Sequence, residues 1–302
     1  MPLPFFMPPV YPVDVQQFTL PSTVTNVQWH TWIKPEAVSL VQILCIGGGS
    51  GGGGGFGTTG AAGAGGAGGA SSGHSVVLLH ADMIPDVLYV QVGAGGAGGA
   101  GGSSGNGAAG SAGVLSYVAI STDTTASNVI AVSGAAAPTG ATGGTTAGAD
   151  SGGAAGTIPV IGSMPLAGAG QAFFIGGQRG IDSPGAGNVP GDPVAIPVTG
   201  CLCMGAPSGA CLSAAPANQA GGGITSVSNS FISDRRPIAS AANGVGSSGP
   251  QLWKPFWSYP GLSGGSNAGG TGAAGGNGAR GAGGGGGGCG TTVGGRGGNG
   301  GD

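Results

Sequence analysis

The sequence predicts a mostly β protein merged with a bundle of polyglycine II helices, with almost no α-helix. Three observations carry that expectation. Glycine makes up 76 of the 302 residues, about four times the usual share. Glu36 is the single glutamate, and Lys34 and Lys254 are the only lysines, so the best polar helix formers are nearly missing. In two tracts alanine returns at every third residue: GAAGAGGAGGA at 60–70 and GAGGAGGAGG at 93–102.

Three residues per turn is the period of the polyproline II helix, which rises about 3.1 Å per residue and makes no internal hydrogen bonds. One row of such a helix can carry alanine methyls while the other two stay bare. The N–H and C=O groups must then find partners on neighbouring chains, with Cα–H···O contacts as a supplement. Collagen shares the period but needs glycine only at every third position, with proline common elsewhere. Here two positions in three are glycine and the tracts lack proline. The runs at 51–55 and 283–288 are nearly pure glycine and are expected inside the bundle. The alanine-marked runs at 60–70 and 93–102 are expected at its periphery. Usable tracts are 47–57, 60–70, 93–113, 134–156, 166–180, 217–223, 239–249 and 264–302. The competing reading is an irregular glycine-rich coil.

Taken in order, residues 1–22 hold five prolines among aromatic and Met residues up to Pro12, and a sixth at Pro21. Proline restricts itself and its predecessor, so this is an extended arm. It either packs on its own domain or docks into a partner through Phe5, Phe6, Met7 and Tyr11. Residues 23–156 form a β-rich, glycine-rich domain. TVTNVQWHTW alternates, IKPEA turns, and VSLVQILCI reads as a buried strand. HSVVLLHADM (74–83), DVLYVQV (86–92), GVLSYVAIS (113–121) and NVIAVS (128–133) complete six strands. The expected core is Val38, Val41, Ile43, Val76, Leu78, Leu88, Val90, Val118 and Ile130. Residues 157–302 are expected to be a polyglycine bundle whose helices end in exposed loops. Those loops include QAFFIGGQRGID (171–182) and QLWKPFWSYPGL (251–262).

Composition excludes several functions. The net charge of −3 has no clustering, so no nucleic-acid-binding face is available. No apolar run approaches the roughly 20 residues of a membrane span, and no signal peptide is evident at the N-terminus. Cys201, Cys203 and Cys211 are spaced C-x-C-x7-C, which is not a standard zinc pattern and has no nearby His. Buried thiols are the plainer reading, with a disulfide or metal as alternatives. His30, His74 and His80 accompany no nucleophile motif. Asp182 and Asp192 flank a Pro/Gly loop, either solvated or holding a cation. A paired-carboxylate hydrolase and a phosphate loop both lack their residues. The protein is therefore expected to be no enzyme and to need no cofactor.

The stretch TWIKPEAVSLVQILCIGGGSGGGGG (31–55) resembles the opening of the glycine-rich domain of bacteriophage tail-fibre and other virion proteins. LYVQVGAGGAGGAGGSSGNGAAGSAG (88–113) is similar to that family's second signature, a strand ending in Val-Gly before a Gly-Gly-Ala tract. The closing GGGGGGCGTTVGGRGGNGGD (283–302) resembles its C-terminal tract. Family members usually continue past Gly-Asp-Gly into a final strand, whereas this chain ends at Asp302. The resemblance implies a β cap that lacks that strand or borrows one. The later half is similar in architecture to the polyglycine-helix adhesins of T-even-like phage fibres, which implies host recognition by loops.

These readings place the protein in the virion, assembled in the host cytoplasm, as a tail-fibre or tail-tip receptor-binding protein. The receptor would be a sugar or an outer-membrane protein. A capsid spike or decoration protein that stabilises the shell is the second reading, and a polyglycine ice-binding protein the third. Partners would be other virion proteins reached through the arm, with a homotrimer among the assemblies expected. Candidate receptor-binding residues are Trp253, Phe256, Trp257 and Tyr259, whose flat rings suit sugar faces or protein surfaces. Arg235 and Arg236 suit phosphates or acidic sugars, and Phe173 and Phe174 complete the set. The competing reading of the rings is that they cover the bundle's end or meet a sister subunit.

Overall fold

The computed structural model describes residues 14–20, 27–58, 62–125, 128–133, 141–145, 151–154, 170–185, 187–195, 202–225, 239–253 and 256–302. Six expected strands are present: β1 (Val27–Ile33), β2 (Leu40–Ile46), β3 (His74–His80), β4 (Val87–Gly93), β5 (Tyr117–Ala119) and β6 (Val129–Val132). The helical content among the described residues is one three-residue 3-10 turn, Ala81–Met83. A further strand, β7 (Gly170–Ile175), lies where a loop was expected. It pairs antiparallel with β3, Phe173 opposite Val76 and Ile175 opposite His74. The backbone groups of β3 would otherwise lack partners on that side, and the β-favouring AFFI run supplies them. The line drawn at 157 therefore does not divide the fold.

Two antiparallel sheets result, one in the order β1-β4-β5-β6 and one in the order β2-β3-β7. They face each other across a core of Cys45, Val77, Leu79, Ile84, Leu88, Val118, Ile130 and Ala131. Trp32, Val41, Ile43 and Val90 pack against it. Val76 and Leu78 were expected in this core and lie on the opposite row. The β2–β3 register sets Val41 against Leu79 and Ile43 against Val77, so Val77 and Leu79 point inward. The run VVLL is apolar at both phases, and a one-residue slip exchanges the faces.

The corner between the sheets is held by Lys34. Its side chain is only 19% exposed, and its Nζ lies 2.8 Å from Asp86 Oδ1. The same ammonium donates to the carbonyls of Ala81 at 3.2 Å and Ile84 at 3.1 Å, while Lys34 N donates to Asp86 O at 2.7 Å. It thus ties the end of β1 to the loop between β3 and β4. Lys34→Met should cost about 2–3 kcal/mol, because two carbonyls lose a charged donor. Urea denaturation of the variant checks this.

β2 runs directly into the tract 48–57, whose hydrogen bonds repeat every three residues. Gly49, Gly52 and Gly55 donate to Gly301, Gly298 and Gly295. Ser50, Gly53 and Phe56 donate to Ala70, Ala67 and Ala64, and Gly51, Gly54 and Gly57 donate to Ser111, Ala108 and Gly105. The carbonyls of 49, 52 and 55 accept from Gly96, Gly99 and Gly102, those of 50, 53 and 56 from Gly284, Gly287 and Gly290, and that of 54 from Gly144. Each row donates to one neighbour and accepts from another, so six segments surround this tract. Tract 281–290 is enclosed in the same way, by 50–56, 66–72, 204–210, 261–267, 273–279 and 295–301. Both runs expected inside the bundle are there.

The alanine tracts divide. Ala97 and Ala100 are exposed, as expected of a peripheral tract. Ala64, Ala67 and Ala70 are fully buried, which corrects the expectation for 60–70. Ala64 and Ala67 donate to Thr145 and Thr142, so this tract has a neighbour on its alanine side as well. The methyl marks a wider gap between tracts, not the edge of the bundle.

The interior glycine positions admit no side chain. A Cβ at Gly53 would overlap the carbonyl of Thr142, and one at Gly287 the carbonyl of Gly295; at Gly105 it would meet nothing within 4 Å. Overpacking costs about 1–3 kcal/mol where neighbours can shift. Here the obstacle is hydrogen-bonded backbone, so Gly53→Ala and Gly287→Ala should lose at least that much. Gly105→Ala should be close to neutral. Thermal denaturation of the three variants side by side tests the enclosure.

Candidate functional site

The direction of each tract locates the candidate residues. Gly48 is at the sandwich end of its tract and Gly57 at the far end. Tract 281–290 runs parallel to 48–57, and 204–210 and 261–267 run parallel to 281–290. Met204, Gly261 and Gly281 are therefore at the sandwich end. So is the hairpin that enters Gly261, formed by β10 (Gln251–Trp253) and β11 (Phe256–Ser258).

At the far end the described turns are small and polar. Gly57 and Asn267 both bridge to Gly290, and Ser103 bridges to Val293. Phe56, Leu212 and Cys289 form a buried plug behind them. The aromatic hairpin is thus beside the sandwich, not at the opposite tip.

The hairpin is clamped in place. Ser258 N donates to Leu202 O at 2.9 Å, and Met204 N donates to Ser258 O at 3.2 Å. Leu252 faces Trp257 across the hairpin, and both pack on Val194, Met204, Ile224, Tyr259 and Leu262. Val194 and Ile224 come from a short parallel pair, β8 (Val194–Ala195) and β9 (Ile224–Thr225). Tyr259 is fully buried, so it anchors the hairpin and presents nothing to a receptor. That corrects its place among the candidates. An aromatic ring after a Pro/Trp turn reads the same in sequence whether it faces out or in.

The other candidates separate. Phe256 and Trp257 are half-buried on β11, and Trp253 lies on β10 opposite Phe256. Phe173 is 60% exposed on the outer face of β7, and Phe174 is half-buried. Arg235 and Arg236, and the arm residues Phe5, Phe6, Met7 and Tyr11, lie outside the described residues. Asp182 accepts from Gly152 N at 2.6 Å and pairs with Arg179, so it fixes a loop. Cys45 and Cys289 are buried thiols, each pushed up to about 12 by burial, where they are poor nucleophiles. Among the described residues no group of three His, Cys, Asp or Glu side chains is placed to hold a metal ion. No helix among them is long and apolar enough to cross a membrane.

One group that the sequence analysis weighed only against a nucleophile motif stands out. His74 opens β3 where the glycine tract 62–73 becomes a strand. It is fully buried between Ile46 and Ile175, and neither ring nitrogen has a hydrogen-bond partner. Ser72 Oγ, Ser75 Oγ, Gln251 Nε2, Trp257 Nε1 and Ser258 Oγ are also buried without partners. The seam between sandwich and bundle therefore carries most of the buried polar atoms without partners among the described residues; Gln28 Oε1 and His30 Nε2 on β1 are the others. A histidine ahead of an apolar run was the only sequence signal.

A family-model scan of the chain finds no matching family, and a search of curated proteins finds no match. The likeness to phage virion proteins stands on the motifs quoted above.

Burial lowers the His74 pKa from 6.5 to about 4. The unfolded chain binds a proton near pH 6.5 that the folded chain refuses. Stability from this residue is complete above pH 6.5 and is lost as pH falls toward 4. The loss should total about 3 kcal/mol, at 1.36 kcal/mol per unit. His74→Leu should flatten that part of the profile, which denaturant titrations at pH 7, 5.5 and 4.5 would reveal.

Proposed function

We propose that this protein is a non-enzymatic structural component of a bacteriophage particle that serves in host attachment, at a tail fibre or tail tip. The observation that carries the reading is the construction itself. Two glycine tracts, each enclosed by six others, are a body with almost no side-chain chemistry in it, and they spring from a β-sandwich whose stretches 31–55 and 88–113 resemble the virion motifs. We propose that these tracts are polyglycine II helices. Phe173, Phe174, Phe256 and Trp257 are the described candidate aromatic residues left to meet a sugar or a surface protein, with Trp253, Arg235 and Arg236 as further members. The arm, through Phe5, Phe6, Met7 and Tyr11, would connect to other virion proteins.

One observation favours the second reading, a capsid spike or decoration protein. The aromatic hairpin and residues 14–20 are both at the sandwich end, since Phe18 and Leu20 pack on Val90, Val92 and Ala94 at the end of β4. Rings placed next to an attachment arm suit a contact with a neighbouring virion protein.

Cryo-EM localisation of the chain on intact particles tests both. Density at a fibre or tail tip, with 171–182 and 251–258 facing outward, supports attachment. Density on the capsid lattice supports the decoration reading. A chain absent from every particle overturns both.

A further inference from the structure

The neighbours of tract 48–57 alternate in role. Taken round the tract, 295–301 accepts from it, 96–102 donates to it, 105–114 accepts, 141–145 donates through Gly144, 64–70 accepts and 284–290 donates. Consecutive members of this ring are bonded to each other. Around 93–102 the same order holds as far as that tract is enclosed. Tract 294–300 donates to it, 48–57 accepts from it, and 108–114 donates to the carbonyls of Ala94, Ala97 and Ala100. The next side is therefore one to which 93–102 donates. The N–H groups left for it are those of Ala97 and Ala100, which have no partner among the described residues, and both residues are exposed.

Tract 105–114 forms the other wall of this groove. Its N–H groups at 108, 111 and 114 go to 93–102, its carbonyls at 105, 108, 111 and 114 accept from 48–57, and its N–H groups at 107 and 110 go to 141–144. Beyond 93–102 the alternation requires a side on which 105–114 accepts. The carbonyls of Asn106, Ala109 and Ala112 fall there, and none of them accepts a bond among the described residues. One wall thus offers donors and the other acceptors, each repeating every three residues, or about 9.3 Å. The side chains along it are small: Ala97, Ala100, Ala108, Ala109 and Ser111 are all exposed. A Cβ on Gly105, at the far end, would meet nothing within 4 Å.

The molecule itself shows what fits such a place. Tract 62–70 has the same Gly-Gly-Ala repeat, and its Ala64 and Ala67 N–H groups donate to the carbonyls of Thr145 and Thr142. The segment that fills that side, 141–145, reads ATGGT, and Ala64 and Ala67 are fully buried. On 93–102 the equivalent side is open. We propose that the groove between 93–102 and 105–112 receives an extended Gly/Ala/Thr-rich segment of a neighbouring polypeptide. That segment accepts from Ala97 and Ala100 and donates to Asn106, Ala109 and Ala112. An α-helix keeps its N–H and C=O groups for itself, and a strand repeats every two residues, so neither matches the groove. The inference rests on reading the tracts as polyglycine II helices.

The test is a synthetic peptide with the sequence of 140–148, GATGGTTAG, added to the full-length, isotope-labelled protein and followed by NMR. Ordering a free peptide costs backbone entropy, so it is used at millimolar concentration. The amides of Ala97 and Ala100 should exchange fast without it and about threefold more slowly with it, the mark of a site about two-thirds filled. Shift changes should be confined to 95–112. Ala97→Pro combined with Ala100→Pro removes both donors. Proline's φ suits this backbone and the lost N–H groups bond nothing in the protein. The melting temperature should therefore be unchanged or raised, while the shift changes at 106–112 disappear. A double variant that unfolds would overturn the polyglycine II reading, and the proposal with it. A variant that stays folded and still responds to the peptide would overturn the proposal alone. Amides of Ala97 and Ala100 that are protected before any peptide is added would mean that the protein fills the groove itself, from its own chain or a second copy. That result, protection elsewhere, or none at all would also overturn the proposal.

Discussion

The constraint on which everything else depends is that an extended threefold glycine chain satisfies none of its own backbone hydrogen bonds. An α-helix closes its bonds within itself, and a strand needs two neighbours. A tract such as 48–57 needs neighbours all round, and it has them. This turns glycine from a source of freedom into a requirement. Ordering each residue costs roughly 1–2 kcal/mol of backbone entropy, and glycine loses the most. No single contact offsets that. The offset comes from many bonds formed together, and each tract is stable only because the surrounding tracts are.

The β-sandwich answers a different problem. A bundle of bare backbone has almost no apolar side chains to exclude water, so it offers little to begin its own assembly. The sandwich supplies a conventional core of Val, Leu and Ile and hands strands β2, β3 and β4 directly to tracts at 47, 73 and 93. Register set in the sheets is thereby passed into the bundle. The residues at that seam bear the mismatch between two hydrogen-bonding patterns, which is where His74 and its unpartnered serine neighbours are found.

Much of this was legible in sequence because period carries it. The alternation of 27–33, the strand-to-glycine transitions and the near-pure glycine runs fixed six strands and both interior tracts. What failed did so where period is silent. VVLL at 76–79 is apolar at either phase, so the core row was misassigned. The alanines at 64, 67 and 70 mark a wider spacing that only the tract beside them, at 142–145, could disclose. Tyr259 was misread, and the end of the bundle that carries the hairpin was left open, for a third reason. Whether a loop faces the sandwich or the far tip depends on tract direction, and a glycine tract has the same composition read either way.

The pairing of 48–57 with 295–301 joins residues up to 252 positions apart, Gly49 to Gly301. A protein emerging from the ribosome presents its first glycine tract long before the segments that enclose it exist. Contacts of such separation close slowly, because the intervening chain must be ordered first. The sandwich strands finish early and hold the open end in place. Synthesis of residues 281–301 is then the event that encloses tract 48–57, so that a chain stopped before them keeps the strands of its β core and leaves that tract open.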